Sequence, residues 1–251
     1  MKKINSQKLV YLSILIFLSI FFFTNLLKPT PIYETYLTPI ISLNLFKDIG
    51  FGPIRHSNAT GFVVASYKED NISYILANDH FCSKELEINL NPLIPTIITY
   101  NSGIDQISYS YKPTGMASVI YTDPEADLCL LETEQYLSAV VFDTSDLILP
   151  IPVTTVGAPE GAFPIVTDTY VSSVISRSDA LFPIMENSGT DYLFLSGIIL
   201  PGSSGSPLFN KKGNVVGIIF ATTATTFGGL AIQSKDITKW LDNLGVDYHT
   251  N

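Results

Sequence analysis

The polarity pattern changes character along the chain. Leu9 to Leu27 are almost continuously apolar. As a helix these residues rise about 28 Å, close to the hydrocarbon thickness of a bilayer. Lys2, Lys3 and Lys8 precede the run and Lys28 follows it. That bias predicts a cytoplasmic N-terminus and an extracytoplasmic remainder. Phe21-Phe22-Phe23-Thr24-Asn25-Leu26-Leu27 offers no small-residue cleavage site, so residues 1–28 read as an uncleaved anchor. Secretion after signal cleavage is the alternative. Lys28-Pro29-Thr30-Pro31 makes a stiff exit, and residues 29–49 read as a linker, with a strand docked on the following domain as the other reading.

From Gly50 onward, short β-branched and aromatic runs alternate with turn signals. The pattern predicts strands at 61–66, 72–77, 97–100, 118–121, 128–132, 153–156, 170–175, 192–195, 215–220 and 229–232. Many short strands with little helix predict an all-β protein, sandwich or barrel. A boundary between two halves is expected near residues 141–150. One helix is expected at 234–245. Ser234 is its N-cap, Ile237, Trp240, Leu241 and Leu244 form its apolar stripe, and Gly245 stops it.

Charge narrows the function. Four of the 14 basic residues lie in 1–28, which holds no acid, so residues 29–251 carry ten basic against 23 acidic side chains. A domain with a net charge of −13 repels phosphate backbones, so a nucleic-acid partner is not expected. The three histidines, His56, His80 and His249, are scattered, and the two cysteines have no histidine pair nearby, so neither a metal site nor a cofactor is expected.

Three stretches carry candidate chemistry. Pro201-Gly202-Ser203-Ser204-Gly205-Ser206-Pro207 reads as a tight turn that lifts a serine hydroxyl out of the backbone. Tyr74-Ile75-Leu76-Ala77-Asn78-Asp79-His80-Phe81-Cys82 ends an apolar run in a histidine. Asp123-Pro124-Glu125-Ala126-Asp127-Leu128-Cys129-Leu130-Leu131 begins another with an aspartate. Ser203 and Ser206 compete with Ser204 for the role of nucleophile, and Asp79 and Asp123 compete with Asp127 for that of the orienting carboxylate.

The order His80, Asp127, Ser204 in these contexts resembles the trypsin/chymotrypsin superfamily, and within it the bacterial Deg/HtrA-type proteases. Thr60-Gly61-Phe62-Val63-Val64 is similar to the family's first barrel strand. Gly213-Asn214-Val215-Val216-Gly217-Ile218 is similar to the hairpin after the nucleophile, and Gly228-Gly229-Leu230-Ala231-Ile232 to the last strand. The resemblance implies two six-stranded antiparallel β-barrels with a C-terminal helix, over residues 50–246. Barrel one would occupy about 50–140 and barrel two about 141–233. It implies a serine endopeptidase acting on protein or peptide substrates, with Ser204 as nucleophile, His80 as base and then acid, and Asp127 as the carboxylate that fixes the imidazole. The N–H groups of Gly202 and Ser204 would form the oxyanion hole. Ile198 aligns with the floor of the primary specificity pocket, which favours an aliphatic substrate side chain. Phe220, Ala221, Thr222 and Leu230 would line the adjoining substrate strand and pocket, and Leu230 reads equally as core.

The chain also departs from the family. Ser203 replaces the acid that a freed N-terminus neutralises in digestive relatives, so activation by N-terminal cleavage is not expected. Phe220 stands where many members carry a hydroxyl that supports the aspartate. Little chain follows the helix, so the peptide-binding domain appended in many Deg/HtrA relatives is not expected. Cys82 and Cys129 each lie two residues past a triad position, so a disulfide between them is one reading and two small buried apolar side chains the other. The rival function is an inactive binding module that keeps the fold.

Overall fold

The computed structural model describes residues 39–48, 53–83, 96–102, 115–158, 165–175, 191–222 and 228–251. The expected anchor at 9–27 lies outside them. Among the described residues no helix is long and apolar enough to cross a membrane.

The first half is a closed antiparallel barrel of β1 (Ile40–Asp48), β2 (Pro53–Tyr67), β3 (Ile72–Ala77), β4 (Thr96–Ser102), β5 (Gly115–Asp123) and β6 (Leu128–Thr133). Its strand order is β1-β2-β3-β6-β5-β4, and β4 closes onto β1. β1 falls within the stretch expected as linker. Ile40, Ile41 and Leu43 are all fully buried, so this segment belongs to the barrel, which begins before residue 50.

The second half contains β7 (Val141–Phe142), β8 (Ile151–Gly157), β9 (Ile165–Ile175), β10 (Tyr192–Ser196), β11 (Pro207–Phe209), β12 (Val215–Thr222), β13 (Gly228–Gln233) and β14 (His249–Thr250). It is an eight-stranded sheet, in the order β11-β8-β9-β10-β13-β12-β7-β14, where six strands were expected. β11 also pairs with β12. The two additional strands come from the segment between the halves and from the C-terminal tail. Phe142 pins them, packing its ring against those of Phe62 and Tyr248.

Period-two alternation sorts the apolar side chains into three clusters. Ile41, Leu43, Val63, Ile75 and Leu131 fill the first barrel. Val153, Val171, Leu193, Leu208 and Ile219 fill the second half. Phe62, Leu76, Leu128, Leu130, Phe142, Val215, Phe220 and Trp240 share a third cluster that joins the halves. β6 shows the rule: Leu128 and Leu130 face the shared cluster, while Cys129 and Leu131 face the barrel interior.

The C-terminal helix spans Ser234–Leu244 and ends at Gly245 in the left-handed conformation, φ 70°. Its N-cap is Gln233, which makes no side-chain capping bond. The expected cap, Ser234, instead donates its hydroxyl to the Val215 carbonyl at 2.6 Å, fastening the helix to β12.

Candidate active site

β3 runs out at Ala77, and the chain turns into a helical segment at 79–83. The Asn78 carbonyl accepts the N–H groups of Phe81 and Cys82 and starts that turn. Phe81 and Cys82 are buried beneath it, leaving the His80 side chain exposed. Across the sheet, Ala77 pairs with Cys129 of β6, so the turn before β6 lies beside His80.

That turn presents Asp127. The Asp127 carboxylate oxygens lie 3.0 and 2.9 Å from His80 Nδ1. Its Oδ1 also accepts the His80 backbone N–H at 3.0 Å. Asn78 Nδ2 donates to the Asp127 carbonyl at 3.0 Å. An ionised carboxylate can only accept, so Nδ1 carries the imidazole proton and Nε2 is left as the acceptor. The disulfide Cys82–Cys129 closes the same corner covalently.

The competing acids are occupied elsewhere. Asp79 is buried and accepts from Ser83 Oγ at 2.6 Å, and burial holds its carboxyl above the ordinary aspartate range. Asp123 Oδ1 accepts the N–H groups of Glu125 and Ala126, and its Oδ2 accepts from Trp240 Nε1.

Ser204 stands on the turn between β10 and β11. Gly202 and Gly205 take φ values of 87° and 85°, a region that L side chains resist. A Cβ on Gly205 would overlap the Thr60 carbonyl oxygen, so only glycine lets this turn lie against β2. Ser206 is fully buried, which leaves it no access to a substrate. The Ser204 hydroxyl donates to the Phe220 carbonyl at 3.2 Å, and no hydrogen bond joins it to His80. β12 bulges against β13 between Ile219 and Ala221, which turns Phe220 out of the ladder. No hydrogen bond among the described residues takes up the N–H of Gly202 or of Ser204.

The family model of the trypsin-like peptidase domain matches residues 59–218, more than half of the chain. The chain belongs to the trypsin-like peptidase family. Among curated proteins, a probable periplasmic serine endoprotease of the DegP-like type from Marinomonas sp. is 28% identical over 201 residues, covering 77% of this chain and 36% of that protein. A Do-like HtrA serine protease from Lactococcus lactis is 30% identical over 166 residues, 60% of this chain and 40% of that one. The chain thus spans about two fifths of the curated relatives it matches. In fold it is similar to the Rv3671c protease of M. tuberculosis in its active form, with a TM-score of 0.64 and 18% identity, covering 88% of this chain and 87% of that one. It is also similar to the HtrA-type protease AlgW solved with a tripeptide, with a TM-score of 0.63 and 21% identity, covering 84% and 62%.

In this trypsin-like domain the residues expected to line one substrate pocket are divided. Ile198 is 56% exposed and lines a cavity of about 220 Å³ with Thr155, Gly157, Ile165, Leu200 and Ser203. Phe220 and Leu230 are buried in the shared core, where the Phe220 ring lies 5.0 Å from that of Tyr192. In this structure both side chains pack in that core. Ala221 is half-buried and Thr222 exposed at the end of β12.

Sequence reading missed Thr60 as a site residue. Its N–H donates to the Ser204 carbonyl at 3.1 Å and its Oγ1 to the Gly202 carbonyl at 3.4 Å. The same Oγ1 accepts the Ala158 N–H at 2.9 Å. No local signal announces this role, since the partners of its hydroxyl lie 98 and 142 residues away.

Proposed function

We propose that this peptidase domain is a serine endopeptidase working through His80, Asp127 and Ser204. The observation that carries the reading is the contact of both Asp127 carboxylate oxygens with His80 Nδ1, which leaves Nε2 free to take a proton. The Ser204 hydroxyl turns from Phe220 towards His80 as substrate arrives. Its oxygen bonds to the scissile carbonyl carbon while its proton passes to Nε2. The N–H groups of Gly202 and Ser204 receive the resulting oxyanion. The C–N bond breaks, the imidazolium returns the proton to the leaving amine, and an acyl-enzyme remains. Water, deprotonated by His80, then cleaves that ester and restores Ser204.

The substrate is an extended protein or peptide segment that adds as a strand beside residues 220–222. The closed circuit of pairings β8-β9-β10-β13-β12-β11 is read as the second barrel, with β7 and β14 added outside it. We place the domain outside the cytoplasmic membrane, held by residues 9–27. The lysine bias, a disulfide of the kind that persists in oxidising compartments, and the periplasmic DegP-like relative support this location.

Fluorophosphonate labelling of the purified chain, beside Ser204→Ala, tests the reading. Labelling that disappears in the variant is expected. Absence of labelling in folded wild-type protein would overturn it. The second reading, a binding module, would then lead, and the bond that occupies the Ser204 hydroxyl with Phe220 is what favours it.

A further inference from the structure

Asp127 holds an uncommon backbone. With Asn71 it makes up the described non-glycine residues with positive φ, here 52°. That conformation is disfavoured for a residue with a side chain and must be imposed by surrounding contacts. On one side the contacts come from the histidine turn, through Asn78 Nδ2 and the His80 N–H. The other side is fastened from a distant part of the chain. Asp123 closes the turn with Oδ1, which accepts the N–H groups of Glu125 and Ala126 at 3.1 and 3.0 Å. Its Oδ2 accepts the indole Nε1–H of Trp240 at 2.9 Å, across 117 residues of sequence.

Trp240 is itself well fixed. It is 9% exposed, stands edge-on to the Tyr121 ring at 5.6 Å, and belongs to the cluster that contains Leu128 and receives Ala126. The C-terminal helix therefore tethers the turn at Asp123, while Ala126 and Leu128, on both sides of Asp127, belong to the same apolar cluster as Trp240.

We propose that Asp123 and Trp240 are positioning residues for Asp127, the C-terminal helix acting through their hydrogen bond to aim the Asp127 carboxylate at His80. This rests on the reading of His80, Asp127 and Ser204 as the hydrolytic residues. Neither positioning residue touches substrate. Without the indole donor the turn loses its outer tether, and the carboxylate drifts from Nδ1.

The test uses the full chain with Trp240→Phe and Asp123→Asn. Phenylalanine keeps an aromatic ring and removes the donor. Asparagine keeps an oxygen for the two backbone N–H groups and replaces the other with an amide that cannot accept. Three quantities are read: kcat and KM on a fluorogenic peptide per fluorophosphonate-titrated site, the melting temperature, and the low-field NMR signal of the His80 Nδ1 proton. In both variants kcat per titrated site is expected to fall about 10- to 100-fold with KM within about twofold, as misalignment at a distance produces. The Nδ1 proton signal shifts or broadens. Tyr248→Phe, which removes a hydroxyl bonded to Asp242 of the same helix, leaves kcat and the proton signal at wild-type values.

A lower melting temperature with unchanged kcat per site and an unchanged His80 signal in both variants would overturn the proposal. Should Trp240→Phe fail to fold, Asp123→Asn carries the same readouts. If the wild type neither labels nor turns over peptide, the hydrolase reading fails, and the Nδ1 signal still decides whether Asp123 and Trp240 position Asp127.

Discussion

Thr60 and Ser204 are joined through their backbones, the Thr60 N–H donating to the Ser204 carbonyl at 3.1 Å. A residue of the first barrel thus supports the serine turn of the second half. The Thr60 hydroxyl extends the support to Gly202 and Ala158. Thr60→Val keeps the shape and the backbone bond while stranding a buried Ala158 N–H and the Gly202 carbonyl. The variant should lose about 1–3 kcal/mol in urea unfolding and label more slowly with fluorophosphonate.

Two glycines with similar backbones should respond differently to alanine. Gly245 has φ 70°, and a Cβ there meets nothing within 4 Å. Gly245→Ala pays only for the left-handed conformation, about 1–2 kcal/mol. Gly205 has φ 85°, and its Cβ would run into the Thr60 carbonyl. Gly205→Ala should lose more than about 4 kcal/mol or fail to fold. Thermal melts of the two variants side by side check the contrast.

Reducing the Cys82–Cys129 bridge releases the chain between two cysteines separated by 47 positions. The chain-entropy relation gives about 4 kcal/mol for a loop of that length. Denaturant unfolding with and without reductant, beside the double serine variant, should show that difference. The double variant should not respond to reductant.

Two buried carboxylates should oppose one another in pH dependence. Asp143 is held below the ordinary range, first by the Ser145 hydroxyl and then by the Ser145 N–H, the Lys212 charge and Asn210. Its stabilisation is present above the unfolded carboxyl pKa and is lost as pH falls through the lower folded value. Asp79 is raised, chiefly by burial. It disfavours the native state increasingly as pH rises from the unfolded towards the folded value. At neutral pH Asp143→Asn should lower the melting temperature and Asp79→Asn should raise it. Both differences should shrink towards zero in acid, where the wild-type carboxyls are neutral.

Strands whose alternation is local were legible in the sequence. The runs at 128–132 and 215–220 lie within β6 and β12, because apolar residues on both faces leave little alternative to a strand between two cores. β1 admits two readings in the sequence, linker and docked strand, since its partners β2 and β4 lie downstream and its polar end, Asn44, Lys47 and Asp48, reads like linker. Asp127, chosen by its place before an apolar strand, does lie against His80. The resemblance assigns both Ile198 and Phe220 to the substrate side, but Phe220 lies in the shared core while Ile198 lines a cavity. Likewise Ser234 had the composition of a cap, yet the Val215 carbonyl competes for its hydroxyl.

The bridge between Cys82 and Cys129 makes the intervening chain a closed ring. A ring cut once becomes a line, and no piece comes away. The chain can therefore be nicked between Cys82 and Cys129 and remain a single molecule. The scar would show only on a gel run after reduction.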